Sequence, residues 1–85
     1  MNVYRLNDVD WYMAETLEAA ILACEADVGE SREEIISEPY KLTDEELKTS
    51  EFNFEDGTKV SFKEYLEAFI ERNDIEPQFF ATTEF

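Results

Sequence analysis

The chain has 85 residues, 44% hydrophobic and 14% aromatic, which suits one folded domain and is too apolar for a disordered acidic tail. Seven Lys and Arg stand against 22 Asp and Glu, which gives a net charge of −15. Such a charge repels nucleic acid and anionic membranes and attracts basic surfaces, so direct nucleic-acid binding is excluded. We expect a single domain over residues 1–85 that is a monomer or a small homo-oligomer.

The residue types also exclude most catalytic chemistry. Histidine is absent, which removes His-based triads, His acid–base catalysis and the commonest zinc ligand. Gly29 and Gly57 stand alone, so no Gly-rich phosphate loop exists. With 22 acids, carboxylate pairs arise by chance. We therefore expect a protein that is not an enzyme and that needs neither a cofactor nor a metal.

Asp8, Asp10 and Glu15 are the one group that suggests a calcium site. An EF-hand-like loop starting at Asp8 would require Gly where Met13 stands, so a specific site is not expected.

Targeting signals are not evident. No apolar run follows a basic segment near the start, and the longest apolar stretch is far shorter than a membrane span. We expect a cytoplasmic protein without membrane contact.

The N-terminal residues predict a β-hairpin. Residues 2–6 and 9–15 are β-branched and aromatic runs separated by Asn7-Asp8, a pair that favours tight turns. Val9, Trp11 and Met13 would then share one face. A single helix over residues 9–27 is the alternative interpretation.

A helix is predicted to begin at Leu17, after the capping residue Thr16, and to stop at Gly29. Its apolar stripe consists of Leu17, Ala20, Ile21, Cys24 and Val28. Cys24, the single cysteine, is interpreted as a small buried apolar residue.

Two capping-box sequences follow, at residues 31–34 and 43–46, and each predicts a short helical turn. Residues 37–42 between them are expected to form an extended linker. Residues 51–62 predict a second hairpin that turns at residues 55–58. Its core face is expected to carry Phe52, Phe54, Val60 and Phe62.

A third capping box at residues 61–64 opens the second main helix, which is expected to end near Asn73. After Pro77, residues 78–85 predict a last strand that joins the sheet. The fold class is therefore α+β, a small antiparallel sheet made of two hairpins and a C-terminal strand, packed with two main helices and two short helical turns.

Acidic residues at helical spacing suggest the function. Carboxylates three or four residues apart on a helix lie about 5–6 Å from each other, a spacing comparable to that of phosphates along a nucleic-acid strand. The candidate residues are Glu64, Glu67 and Glu71 on the last helix, Glu30, Glu33 and Glu34 near the first short turn, and Asp44, Glu45 and Glu46 at the second. Solvated faces and favourable charges at helix N-termini are the competing interpretation, with a local Lys63–Glu67 pair.

An aromatic contact patch among the acids is a further hypothesis. Its candidates are Trp11, Tyr12, Tyr40, Phe79, Phe80 and Phe85. Most are expected in the core; Tyr40 and Phe85 are the candidates for exposure and partner contact.

Four stretches, at residues 14–21, 38–47, 56–66 and 77–85, resemble small prophage reading frames across most of the chain. In size, charge and layout the chain is similar to the small acidic accessory proteins of phages and mobile elements. That group includes inhibitors of CRISPR effectors and of restriction enzymes. The resemblance implies a phage-encoded inhibitor that works in the host cytoplasm, and it assigns no site residues.

These observations lead to two hypotheses. The first is an inhibitor that occupies a basic nucleic-acid-binding surface of a host-defence complex by electrostatic mimicry and steric block. The alternative is a structural or adaptor domain that homodimerises through a sheet edge or aromatic surface, with acidity serving only solubility.

Overall fold

A computed structural model describes residues 1–82 and confirms the α+β class. The elements in chain order are β1 (Asn2–Arg5), β2 (Asp10–Ala14), α1 (Leu17–Val28), α2 (Arg32–Ile35), β3 (Tyr40–Lys41), α3 (Asp44–Thr49), β4 (Glu51–Asn53), β5 (Lys59–Ser61), α4 (Phe62–Glu71) and β6 (Gln78–Thr82). They form two compact units. The first unit comprises Met1–Lys41 and the chain from Glu76 onward, and the second comprises Leu42–Ile75.

The first unit is built on a four-stranded antiparallel sheet in the order β3-β1-β2-β6. The predicted N-terminal hairpin is confirmed, because β1 pairs antiparallel with β2. In its turn, the Asn7 side-chain oxygen accepts the backbone N–H groups of Val9 and Asp10, each at 2.9 Å. Val9 therefore lies in the turn instead of the strand. The alternative helix over residues 9–27 is wrong, and the predicted C-terminal strand does join this sheet as β6.

Helix α1 packs on the sheet with the predicted termini. The Thr16 hydroxyl accepts the Ala19 N–H at 3.2 Å, and Gly29 adopts the left-handed conformation at φ 77°. The buried cluster between helix and sheet consists of Tyr4, Leu6, Tyr12, Ala14, Ala20, Ile21 and Cys24. Val28, predicted on the buried stripe, is exposed at the helix end.

Helix α2 begins without the predicted capping box. The Ser31 side chain makes no cap hydrogen bond. Instead, the Glu25 carboxylate accepts the Arg32 backbone N–H at 3.1 Å, which satisfies a donor at this helix N-terminus. The prediction at Ser31 is wrong because a carboxylate from α1 takes over at the helix start.

The predicted extended linker over residues 37–42 is extended only in part, because Tyr40–Lys41 pairs with the sheet whereas Glu38 adopts a positive φ. Residues Tyr40 and Lys41 lie opposite Arg5 and Tyr4, respectively, as strand β3. Glu38 precedes Pro39 with φ 49°, a conformation that non-glycine residues adopt at a cost.

The second unit opens with α3, where the capping box is confirmed. The Thr43 hydroxyl accepts the Glu46 N–H at 3.1 Å, and the Glu46 carboxylate accepts the Thr43 N–H at 2.9 Å. The predicted hairpin follows as β4 and β5, and its turn contains Gly57 at φ 88°. Within residues 1–82 this hairpin forms a sheet of its own instead of extending the first one.

Aromatic rings hold α4 on this hairpin. The ring centroid of Phe52 lies 4.7 Å from that of Phe62 and 4.5 Å from that of Tyr65, and Tyr65 packs edge-to-face on Phe69. Phe54, predicted on the core face, is 46% exposed because it lies beyond the end of β4. Helix α4 ends at Glu71, close to the predicted Asn73.

Candidate functional site

Helix α4 presents the three predicted glutamates on one exposed face. Its buried residues are Phe62, Leu66 and Phe69, and Glu64, Glu67 and Glu71 are all exposed. At 100° per residue, the three glutamates fall on the side opposite the buried stripe, and the 1.5 Å rise spreads them over about 10 Å. The helix that carries this row begins after the N-cap residue Ser61, whose hydroxyl accepts the Glu64 N–H at 3.1 Å.

The α4 glutamates keep their negative charge unpaired within the described part of the chain. No basic group of residues 1–82 lies within salt-bridge distance of Glu64, Glu67 or Glu71. The Lys63 ammonium, predicted to pair with Glu67, lies instead 3.4 Å from Asp44. Like charges at this spacing repel one another mildly, so a cationic partner is favoured at this face.

The acids at the start of α3 differ, because Asp44 is neutralised. Lys48 approaches its carboxylate at 3.2 Å and Lys63 at 3.4 Å. Hydrogen bonds from Lys48 and Lys63 hold the pKa of the Asp44 carboxyl below its usual range. Asp44 is thereby a poor candidate for contact with a partner.

A second neutralised group lies in the first unit. The Arg32 guanidinium binds both oxygens of Glu18, at 2.9 and 3.1 Å, and one oxygen of Glu25 at 3.1 Å. These hydrogen bonds, with Glu18 contributing most, raise the pKa of Arg32. The arrangement ties α2 to α1 and removes two carboxylates of α1 from the acidic surface.

Three further predicted acids lie within or just before α2, close to Arg32 in the chain. Glu30, Glu33 and Glu34 are all exposed, and no salt bridge within residues 1–82 involves them. Glu34 also lines a depression of about 330 Å³ that it shares with Asp8 and Asp10. These acids belong to the first unit, and the α4 row belongs to the second.

Tyr40 is 41% exposed on the short edge strand β3, as its predicted contact role requires. It lines a small cavity of about 150 Å³ together with Arg5, Asp8 and Glu38. The Arg5 guanidinium donates to the carbonyls of Asn7 and Asp8, each at 3.1 Å, so it holds the hairpin turn next to this tyrosine.

The remaining aromatic candidates divide as follows. Tyr12 and Phe80 are buried, Trp11 is half-buried, and Phe79 is exposed while its ring packs edge-to-face on Tyr12. Phe85 lies outside the described residues. The exposure of Phe79 was not predicted, since its position in an apolar run is typical of a core strand.

Cys24 and Tyr12 lie together in the core of the first unit. Burial raises the pKa of the Cys24 thiol. Burial also raises the pKa of Tyr12, and the hydrogen bond that its hydroxyl donates to Asp27 at 2.9 Å adds to the effect. Both groups are therefore neutral at physiological pH and serve the core.

Residues 1–82 contain neither a cluster of metal-ligating side chains nor a helix that could cross a membrane. This part of the chain contains no group of three or more Cys, Asp or Glu side chains arranged to hold a metal ion. Its helices are too short or too polar to cross a bilayer.

The sequence of α1 contains a second row of apolar residues that the prediction of a single buried stripe missed. Ala19, Leu22, Ala23 and Ala26 recur at helical spacing on α1 beside the buried stripe. Ala19 and Ala23 are partly buried against the core cluster, whereas Leu22 is 55% exposed and Ala26 is also exposed. An apolar outer face is unusual for a surface helix.

No protein-family model matches the chain. No curated protein and no solved structure matches it either. The class defined by fold and site is an acidic α+β protein with an unpaired glutamate row on α4.

Proposed function

We propose that this protein binds a basic nucleic-acid-binding surface of a larger host-defence complex, such as a CRISPR effector or a restriction enzyme, and blocks it. Its carboxylates take the places of phosphates and meet Lys and Arg of the partner, while the body of the protein occupies the channel. It acts by occupancy, without catalysis or a cofactor, in the cytoplasm of the host cell that a phage origin implies.

The observation that carries the proposal is the α4 row of Glu64, Glu67 and Glu71. Helix geometry keeps these carboxylates close together, and the neighbouring lysine is occupied by Asp44. A net charge of −15 steers such a row toward cationic surfaces and away from nucleic acid itself. Glu30, Glu33, Glu34 and Tyr40 supply the corresponding contacts of the first unit.

The test compares two triple variants with equal net charge. Glu64→Gln, Glu67→Gln and Glu71→Gln remove the row, whereas Glu51→Gln, Glu55→Gln and Asp56→Asn remove three other exposed acids of the same unit. Wild-type and variant proteins are used to capture host proteins at low and at physiological salt, and captured proteins are quantified by mass spectrometry.

We expect the wild type to capture a nucleic-acid-binding protein, to displace its labelled nucleic acid, and to lose it as salt rises. The α4 variant should capture it several-fold less well, and the control variant should not. Equal losses of capture in both variants would show that binding depends on net charge and not on the α4 row. Capture that persists at high salt, or that leaves the nucleic acid bound, would contradict the blocking mechanism.

A further inference from the structure

The outer face of α1, defined by Leu22 and Ala26, is apolar, and the neighbouring Ala19 and Ala23 pack partly on the buried cluster. Ala20, Ile21 and Cys24 are the residues of this helix that are buried against the sheet. On the opposite side, Leu22 is 55% exposed and Ala26 is also exposed. A surface helix ordinarily carries polar residues on its exposed side.

This outer face continues into a groove. Ala19, Leu22 and Ala23 line one wall of a shallow depression of about 540 Å³, and Glu76 and Pro77 line the other. Ala19 and Ala23 lie one turn apart, and such small side chains leave a gap on the helix surface that accepts a ridge of another helix. Leu22 projects beside this gap as an apolar contact for the incoming element.

The charge of the first unit determines what can occupy the groove. Its sequence carries 12 acidic and three basic residues, a net charge of −9, and Glu76 lies in the groove wall. Of the three basic residues, Arg32 is bound by Glu18 and Glu25. A second copy would bring −15 against −15, whereas a cationic segment would be attracted.

We propose that the α1 groove (Ala19, Leu22, Ala23, Glu76 and Pro77) docks an amphipathic, Lys- or Arg-rich helix of the partner. The apolar side of that helix packs on Leu22 and the alanines, and its cations face Glu76 and the surrounding acids. This inference rests on the proposed function for the partner's positive charge. It adds an apolar anchor whose contribution survives added salt, in contrast to the α4 row.

The test uses a defined probe, an amidated helical peptide of about 18 residues with Leu at i, i+3, i+4 and i+7 spacing and Lys elsewhere. Its Kd is measured by fluorescence anisotropy at low and at physiological salt, and NMR chemical-shift changes map where it binds. A peptide of the same composition with scattered Leu is the control probe. The variants are Leu22→Gln and, as a matched exposed aliphatic residue on α4, Ile70→Gln, which is 46% exposed in the native protein.

We expect Leu22→Gln to weaken binding about tenfold at both salt concentrations, and Ile70→Gln to change it less than about twofold. Shift changes should centre on Ala19, Ala23 and Glu76. Unfolding curves check that neither variant disturbs the fold.

Equal effects of the two variants, or equal binding of the scattered peptide, would overturn the inference, since net charge would then explain the binding. A chain that sediments as a dimer, and as a monomer after Leu22→Gln, would overturn it in favour of a second copy. If the α4 triple variant loses the host protein while Leu22→Gln retains it, the docking inference fails and the proposed function stands.

Discussion

The two units of the chain are stabilised differently. Within residues 1–82, the large side chains with essentially no exposure are Val3, Leu6, Met13 and Cys24, and all belong to the first unit. The second unit relies on aromatic rings that contact one another while remaining partly accessible, such as Phe52 and Tyr65. Complete burial of a Val, Leu or Met side chain contributes about 1.5–3 kcal/mol, so truncation of these fully buried residues should cost the first unit most.

Their acids differ in the same way. In the first unit, Arg32 neutralises two glutamates of α1 and tethers a neighbouring helix with them. In the second, two lysines gather on Asp44 and leave the α4 row without a cation. The position of the few basic residues, more than the number of acids, therefore decides which carboxylates remain available to a partner.

The largest expected effect concerns the aliphatic core of the first unit. Leu6→Ala should lower the free energy of unfolding by about 2–5 kcal/mol, because it opens a cavity where the side chain has no exposure. Leu22→Ala removes the same atoms from an exposed position and should change it by less than about 0.5 kcal/mol. Chemical denaturation followed by circular dichroism measures both, and similar values would contradict the described core.

A smaller effect separates the two capping sequences. Thr43→Ala should cost about 1 kcal/mol, because the hydroxyl accepts the Glu46 N–H at the start of α3. Ser31→Ala should be close to neutral, since that hydroxyl makes no cap hydrogen bond. The same denaturation experiment compares them, and an equal loss would mean that Ser31 caps α2 in solution.

The smallest expected effect is a change in the pKa of the Asp44 carboxyl. Its pKa is lowered in the folded protein, so the stabilisation is present above the unfolded value of about 3.9 and is lost as pH falls through the folded pKa. Lys63→Met should move the pKa upward, toward the ordinary value. Lys59→Met removes an exposed lysine of the same unit and is the control. Carboxyl NMR measures the shift, and no change with Lys63→Met would contradict the pair.

Local sequence signals predicted the elements well, because their determinants are a few residues apart. Thr16 caps the N-terminus of α1, and Gly29 caps its C-terminus. The turn at Gly57 requires a positive φ, which glycine adopts readily. The separation of the two hairpins into different sheets has no local signal. It depends on which strands meet, and β6 reaches β2 from more than 60 residues away in the chain.

The candidate site was predictable where helix periodicity alone determines it, as in the row of Glu64, Glu67 and Glu71. The ion pairs around the candidate residues were not predictable from the sequence. Arg32 reaches Glu18, which is 14 residues away, and the Glu25 carboxylate takes over at the start of α2 from Ser31. Leu22 and Ala26 recur at the same helical spacing as the buried stripe of α1, but spacing alone does not indicate that they are exposed.

The buried thiol of Cys24 gives the first unit an intrinsic reporter. The chain has one cysteine, and it lies with no exposure between α1 and the sheet. A thiol reagent can therefore reach it only while the helix is detached from the strands. The rate of labelling under native conditions thus gives the free energy of that opening, and a ligand bound on the outside of α1 should slow the reaction.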